Sequence, residues 1–456
     1  MISKVRQLIS DDGMKARAAR GSVLTFLSFG GAQALRFVSS LTLTRLLMPE
    51  VFGLMALIQV FLTALELFSD TGLSSVVTKS KRGTEPRFLN TVWSIQILRG
   101  VLLALIAWAI AGPVAAFYDE PNLAVMLPIA GLNAVILGFL STRRLSADRN
   151  MMQGRLTIFE LLSQALGICF AIGLVWVWPS IWSLIISGLI GSVIRVIFSH
   201  TILLGEKNWP VMEKTSLSEI FGYGKYIFLA SIGTFLVMNS DRTILGKFIS
   251  LELLGIYNIG LMLGSLPLLL AGKLVVKIFF PLYTHRPPIE NEAYRKKLNL
   301  LRYGLSGGLS VICLTFALLG NWLIDLLYTD TFSLAGPILV LISIAALPSV
   351  FLITYPYTLL ANGNSRDYMI LLLTQGVLQV LIMYFLVAQF GIIGAIFAPS
   401  LAIIANYPVM IWKIARYKSW DPIHDGIMLA FAGIAIALVL FWNDGTAIQP
   451  LLSYGS

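Results

Sequence analysis

Long apolar runs follow one another along the chain, separated by short polar stretches. A helix needs about 20 mostly apolar residues to cross a bilayer. By that measure the pattern predicts thirteen spans, roughly at 21–46, 53–78, 88–112, 123–142, 156–177, 181–203, 221–246, 253–281, 298–320, 334–360, 367–388, 391–412 and 425–442. The last run also reads as a re-entrant or interfacial segment, which leaves twelve. The connections are about 20 residues or shorter, so no extramembrane domain is expected.

Composition agrees with the pattern. Apolar residues make up 57% of the 456 and charged residues 12%, with a mean hydropathy of +0.83. Too little charge is present to cover a water-soluble domain. That excludes a soluble enzyme, a disordered chain and a nucleic-acid-binding domain, and points to an all-α polytopic membrane protein. The net charge of +10 matters less than its placement. The N-terminal 20 residues and segments 79–87, 143–155, 205–219, 285–297, 362–367 and 413–425 hold 23 of the 33 Lys and Arg. The opposite loops hold Arg45 and Lys247 and otherwise acids: Glu50, Asp119, Glu120, Asp325, Asp330 and Asp444. The positive-inside rule makes the basic set cytoplasmic, with the N-terminus inside and, for thirteen spans, the C-terminus outside. The first apolar run is too long for the core of a cleavable signal peptide and is read as a span. Cys169 and Cys313 are expected to be buried thiols outside any disulfide framework. His200, His285 and His424 lack metal-ligand spacing, so no metal is expected. The string from Gly264 to Gly272 and Lys273 has the wrong spacing for a phosphate-binding loop.

The chain echoes itself. Arg45-Leu-Leu-Met-Pro49-Glu50-Val-Phe-Gly53 recurs as Lys247-Phe-Ile-Ser-Leu251-Glu252-Leu-Leu-Gly255, with base, acid and glycine all at an offset of 202. A weaker echo joins Phe117-Tyr118-Asp119-Glu120 to Leu327-Tyr328-Thr329-Asp330. Six spans separate equivalent turns, so both halves enter from one side as parallel repeats. The expected organisation is an N-lobe at 1–204, a cytoplasmic linker at 205–220, a C-lobe at 221–417 and an extra span with external tail at 418–456. Two six-helix lobes around a central cavity is the architecture of alternating-access transporters.

Charged groups inside spans are costly and mark functional candidates. Gln33, Arg36 and Ser40 share one face of the first span, and Gln59, Thr63, Glu66 and Asp70 form a stripe along the second. Such a stripe must face protein or water. Arg36 and Glu66 have two readings: an ion pair joining two helices, or groups lining a wet cavity and exchanging partners with substrate. Asn239, Asp241 and Arg242 fall near the external end of span seven, where a snorkelling helix-end ion pair is the structural alternative. Lys273 and Lys277 share a face of span eight. Arg99 and Arg195 lie deep in spans three and six without a partner in their own helices. Lys225, Arg302 and Glu160 fall close to span ends and read as interfacial. Pro267, Pro337, Pro348, Pro356, Pro399 and Pro408 are expected to kink the C-terminal spans.

Taken in order, Lys15-Ala-Arg17-Ala-Ala-Arg20-Gly21, Leu46-Leu-Met-Pro49-Glu50-Val-Phe-Gly53-Leu-Met-Ala56, Phe68-Ser-Asp70-Thr-Gly72-Leu73, Asn239-Ser-Asp241-Arg242-Thr-Ile-Leu-Gly246-Lys247 and Leu254-Gly255-Ile-Tyr257 resemble the polysaccharide transporter family of the multidrug/oligosaccharidyl-lipid/polysaccharide flippase superfamily. The resemblance covers nearly the whole chain. It implies flipping of undecaprenyl-diphosphate-linked oligosaccharide from the cytoplasmic to the periplasmic leaflet of a bacterial inner membrane, by alternating access, for exopolysaccharide, capsule or O-antigen assembly. The chain departs from longer members in lacking a clear fourteenth span, which leaves the side of its C-terminus open. For this cargo, Arg36, Arg242, Lys273, Arg99 and Arg195 are candidates to hold the diphosphate, since guanidinium offers forked donors to phosphate oxygens. Glu66, Asp70 and Asp241 are candidates for proton or sodium coupling, and Gln33, Ser40, Gln59, Thr63 and Asn239 for a polar cavity face. No cofactor is expected, and other polysaccharide-assembly proteins are possible partners. An organic-cation exporter of the same fold would favour buried acids over bases. A membrane enzyme of glycan assembly would need a sizeable external loop, and the longest here, around 321–333, has about a dozen residues.

Overall fold

The computed structural model describes residues 14–69, 73–150, 152–222, 224–285, 292–443 and 451. Among the described residues the regular structure is helical throughout. In the first half, α1 is Met14–Leu43, α2 Pro49–Phe68, α3 Leu73–Lys79, α4 Pro86–Tyr118, α5 Leu123–Gly138, α6 Arg143–Arg149, α7 Gln153–Val177, α8 Ile181–Thr201 and α9 Lys214–Gly222. The second half holds α10 Gly224–Phe248, α11 Leu251–Gly264, α12 Leu266–Leu274, a π-helical turn Val275–Phe279, α13 Phe280–His285 and α14 Glu292–Leu327. It continues with α15 Ala335–Ala345, α16 Leu347–Leu352, α17 Tyr355–Ala361, α18 Ser365–Ala415 and α19 Pro422–Trp442.

Among the described residues, nine helices are long and apolar enough to cross a membrane, or ten if α5 and α6, bent by 62°, form one crossing. This is a multi-pass membrane protein. Each of the thirteen predicted runs is largely helical, and the smaller count has physical causes. α1 and α10 are long but carry Gln33 and Arg36, or Asn239, Asp241 and Arg242, within their length. Predicted spans eleven and twelve share the single stretch α18, which turns sharply at Gly391. Its φ of 55° and ψ of −133° is a conformation that a Cβ obstructs, so glycine joins two helices with no loop between them. Prolines mark the other breaks. Pro267, Pro348 and Pro356 each sit in the first turn of α12, α16 and α17, where a missing N–H is tolerated and the preceding helix ends.

The chain divides into two compact units. The first comprises the described parts of Met1–Leu47 and Phe61–Ile227, the second those of Met48–Val60 and Phe228–Ser456. α2 is thus shared between them, its break falling after Val60.

In the first unit α4 packs on α5, α5 on α8, α8 on α7 and α7 on α1. Segment 205–213 runs along α4 rather than hanging free. Trp209 N donates to Asn90 Oδ1 (3.1 Å), Val211 N to Ser94 Oγ (2.9 Å) and Glu213 N to Thr91 Oγ1 (3.2 Å). Arg82 closes the strap, with Nη2 2.7 Å from Glu213 and Nε 2.8 Å from Glu85. The Ser216 hydroxyl and then Arg82 hold the Glu213 carboxyl below the usual carboxylate range. Glu213 and Glu85 in turn raise Arg82.

In the second unit α15 is the core. Ile338, Leu339, Val340 and Leu341 are fully buried, with α11, α14 and α18 packed on the helix. Burial among apolar neighbours in lipid gains close packing rather than escape from water. The tightest approach is between the two echoed segments. A Cβ on Gly53 would lie 2.8 Å from the Leu251 carbonyl carbon, and one on Gly255 would lie 2.8 Å from that of Pro49. The offset of 202 pairs Gly53 with Gly255 and Pro49 with Leu251. The contact is therefore reciprocal, as a local two-fold relation requires. Glycine stands at both positions because backbone, not side chain, occupies the space.

Candidate functional site

The polar stripe of α2 gathers partners inside the first unit. Arg99, from α4, donates through Nε to Ser69 Oγ (2.7 Å) and through Nη2 to the Glu66 carbonyl (2.7 Å). Ser69 Oγ donates to the Leu65 carbonyl (2.7 Å). These carbonyls end α2, so a cation there also faces the negative end of the helix dipole. Beside them lies a small pocket lined by Leu62, Leu65, Glu66, Leu103, Gly131, Asn133 and Ala134. Asn133 Oδ1 is buried and accepts from no protein donor. Arg195, half-buried on α8, is within electrostatic reach of Glu66, Glu160 and Arg144. Among the described residues no ion pair joins Arg36 to Glu66, and Arg36 is exposed. The Arg36–Glu66 ion pair is thus not formed among the described residues, and the end of α2 is served by Arg99. Gln33 is half-buried and Ser40 buried on α1, while Gln59 is exposed and Thr63 half-buried on α2. Asp70 lies outside the described residues.

In the second unit the seventh predicted span turns its polar groups inward. Asn239, Ser240 and Asp241 are all buried. Tyr257 donates its hydroxyl to Asp241 Oδ2 (2.8 Å), and Gln379 Nε2 donates to Ser240 Oγ (2.9 Å) and the Val237 carbonyl (2.9 Å). Asp241 makes no side-chain ion pair with Arg242 among the described residues. Its carboxylate instead accepts the backbone N–H of Arg242 (2.8 Å) and the tyrosine. Arg242 Nε is left buried without a protein acceptor. Lys273 and Lys277 are exposed, Lys277 within the π-helical turn.

The densest polar cluster was invisible in the sequence pattern. Arg302, read as interfacial, is 1% exposed. It donates to Thr354 Oγ1 (3.0 Å), Tyr283 OH (3.0 Å) and Tyr355 OH (3.4 Å), and stacks 4.3 Å from the Tyr355 ring centroid. Tyr355 donates its own hydroxyl to Asp425 Oδ1 (2.8 Å), and Tyr407 donates to Asp425 Oδ2. His424 Nδ1 lies 2.9 Å from Asp425 Oδ1, and its Nε2 lies 3.0 Å from Ser306 Oγ. Spacing across five helices hid this group. The sequence signal available was only the coincidence of a base and an acid–histidine pair at the starts of two spans.

Two smaller expectations change. Cys313 is buried as expected, but Cys169 is exposed on α7. An apolar run in a membrane helix presents part of its surface to lipid rather than protein, so apolar surroundings in sequence did not imply burial. Glu160 is exposed and accepts from Ser28 Oγ at 3.4 Å.

The family described as polysaccharide biosynthesis protein matches residues 42–336. The teichuronic acid biosynthesis protein TuaB of Bacillus subtilis (strain 168) is 23% identical over 310 residues, 66% of this chain and 62% of its own length. The succinoglycan biosynthesis transport protein ExoT of Rhizobium meliloti (strain 1021) is 21% identical over 333 residues, 70% of this chain and 64% of its own. The matched region thus spans less than two thirds of either relative. Among solved structures, lipid II flippase MurJ in an inward closed conformation superposes with a TM-score of 0.69 at 14% identity, covering 92% of this chain and 91% of that one. At that identity the likeness is one of fold.

Proposed function

The chain belongs to the polysaccharide biosynthesis protein family, and from that premise we propose that it is a flippase. Its cargo is undecaprenyl-diphosphate-linked oligosaccharide, carried by alternating access from the cytoplasmic to the opposite leaflet of a bacterial inner membrane, with the N-terminus in the cytoplasm. It moves this lipid without catalysing a bond change. The family match over residues 42–336 carries the reading. A two-unit helical fold like that of MurJ supports it.

The buried bases suit this cargo. A lipid diphosphate bears about two negative charges that must cross an apolar layer, where an isolated charge is prohibitive. Among the described residues Arg36 is exposed and pairs with no carboxylate, and Arg242 has a buried Nε without an acceptor. Phosphate oxygens supply what both lack. Lys273 is a third holding point of the diphosphate. Arg99 and Arg195 act mainly through their field, Arg99 being committed to the end of α2. Gln33, Ser40, Gln59, Thr63 and Asn239 meet the sugars. Glu66, Asp70 and Asp241 serve ion coupling or gating. Deleting the gene in the native host tests the reading. Lipid-linked oligosaccharide should accumulate on the cytoplasmic leaflet and surface polysaccharide should be lost. Unchanged surface polysaccharide with no accumulation would refute it.

A further inference from the structure

The second unit contains a buried acid–base cluster that no step of cargo holding uses. We propose that the His424–Asp425 pair is a proton-binding site, filled and emptied once per transport cycle, with Arg302 as its fixed counter-charge. The transport half of this proposal rests on the flippase reading. The proton-binding half does not.

Hydrogen-bond geometry is the first support. Asp425 Oδ1 accepts from Tyr355 and Oδ2 from Tyr407, and His424 Nδ1 lies 2.9 Å from Oδ1, so with the carboxylate ionised Nδ1 is the donor of that bond. His424 Nε2 lies 3.0 Å from the Ser306 hydroxyl. That hydroxyl can donate to a neutral ring or accept from an imidazolium simply by rotating its O–H. Both protonation states of the pair are therefore satisfied with every heavy atom in place. A proton can arrive or leave without breaking the packing.

Charge is the second support. Among the described residues, the charged and titratable groups around the pair come from five places in the fold. α14 contributes Arg302 and Tyr303, whose ring centroid is 4.8 Å from that of His424. α13 contributes Tyr283, α17 Tyr355, α18 Tyr407, and α19 itself Asp421, 7% exposed. One guanidinium therefore faces two carboxylates. Acidic side chains thus outnumber the guanidinium around His424, in a setting where unpaired charge is costly. An added proton restores balance.

Access is the third. Asp425 and Tyr407 line an otherwise apolar cleft, with Phe351, Leu352, Ile404 and Leu429 among its walls, so the pair lies at the edge of the packed core rather than sealed within it. The proton comes to the pair from bulk water and returns to it, with no other bond changing. The pair joins α14, α17, α18 and α19 through direct hydrogen bonds, so its charge state bears on how those helices hold together.

The chain has three histidines, which makes ring-nitrogen NMR of histidine-labelled full-length protein in lipid bilayers assignable. The His424 signals are those lost in His424→Gln. Lowering the pH from about 9 to about 5 should convert His424 from a neutral Nδ1–H ring to a doubly protonated one. Ser306→Ala removes the acceptor for the second N–H and should shift that conversion to lower pH. A ring that keeps one form throughout, or a Ser306→Ala protein that titrates like wild type, overturns the proton site. Coupling is read in reconstituted vesicles as the ratio of lipid-linked oligosaccharide transport with and without an imposed pH gradient. The ratio should exceed one for wild type and fall to one for His424→Gln. A wild-type ratio of one, or an elevated ratio that survives in His424→Gln, overturns the coupling role. A wild-type protein that moves no lipid-linked oligosaccharide refutes the flippase reading instead, and the NMR titration then decides the proton site by itself.

Discussion

Substituting alanine for Gly53 probes the tightest helix approach in the second unit. The new Cβ would lie 2.8 Å from the Leu251 carbonyl carbon and 3.2 Å from the Gly255 nitrogen, with the Leu251 carbonyl oxygen nearer still. Ordinary van der Waals contact begins at 3.4 Å; the carbonyl carbon alone demands a parting of about 0.6 Å, and the oxygen, the limiting contact, demands well over twice that. No side chain is available to rotate away. Overpacking of this kind costs about 1–3 kcal/mol, and a backbone clash belongs at the upper end. Gly255→Ala makes the mirror contact with Pro49 and should cost the same. The double variant should cost clearly less than the sum, since one separation relieves both clashes. Gly112→Ala is the control, with nothing within 4 Å of its Cβ, and should be neutral or stabilising by up to about 1 kcal/mol. Thermal unfolding of the purified protein in lipid nanodiscs measures all four. If Gly53→Ala is as stable as Gly112→Ala, or if the two glycine costs simply add, the reciprocal crossing is not what holds these segments.

Other outcomes follow from the same geometry. Arg36→Ala strands no carboxylate among the described residues, so stability should change by no more than about 0.5 kcal/mol while transport in vesicles falls. Arg36→Lys keeps the charge but not the fork and should fall between. Arg302→Ala should destabilise by about 3–5 kcal/mol, because it leaves Asp425 and two tyrosines without their counter-charge; denaturation in detergent measures it. The strap at 205–213 has a defined pH window. Glu213 has a depressed carboxyl, so its contribution is complete above the ordinary carboxylate value and is lost as pH falls through the lower folded-state one. Proteolysis within 205–213 should therefore be unchanged from neutrality down to about pH 5 and accelerate only in stronger acid, whereas Glu213→Gln should be cleaved faster at neutral pH.

The helical membrane architecture was legible because apolar run length is dictated by bilayer thickness, which acts locally on each segment. The repeat was legible for a related reason. Arg45, Glu50 and Gly53 recur as Lys247, Glu252 and Gly255, and the glycines recur because each admits the other segment's backbone. Polar partnerships were not legible. A stripe such as Thr63, Glu66 and Asp70 announces that a helix face is not lipid-facing, but says nothing about which helix answers it. Arg99, 33 residues beyond Glu66, answers it here, rather than Arg36. Arg302 and Asp425 are 123 residues apart and meet only through Tyr355, so neither periodicity nor local spacing marks them. The division at Gly391 was legible too, since the runs 367–388 and 391–412 meet there, but only the backbone reveals that one glycine joins them within a single helical stretch.

The central claim concerns movement of a lipid, and purified protein in sealed vesicles tests it most directly. Undecaprenyl-diphosphate oligosaccharide is incorporated in both leaflets, and the outer pool is removed with a glycan-cleaving enzyme that cannot enter. With the protein present, the inner pool should become accessible and be cleaved to completion. Vesicles with Arg36→Ala protein, or with none, should retain a protected fraction. If the inner pool stays protected with wild-type protein while an organic cation is exported by the same vesicles, the chain is an exporter of another cargo and the account is wrong.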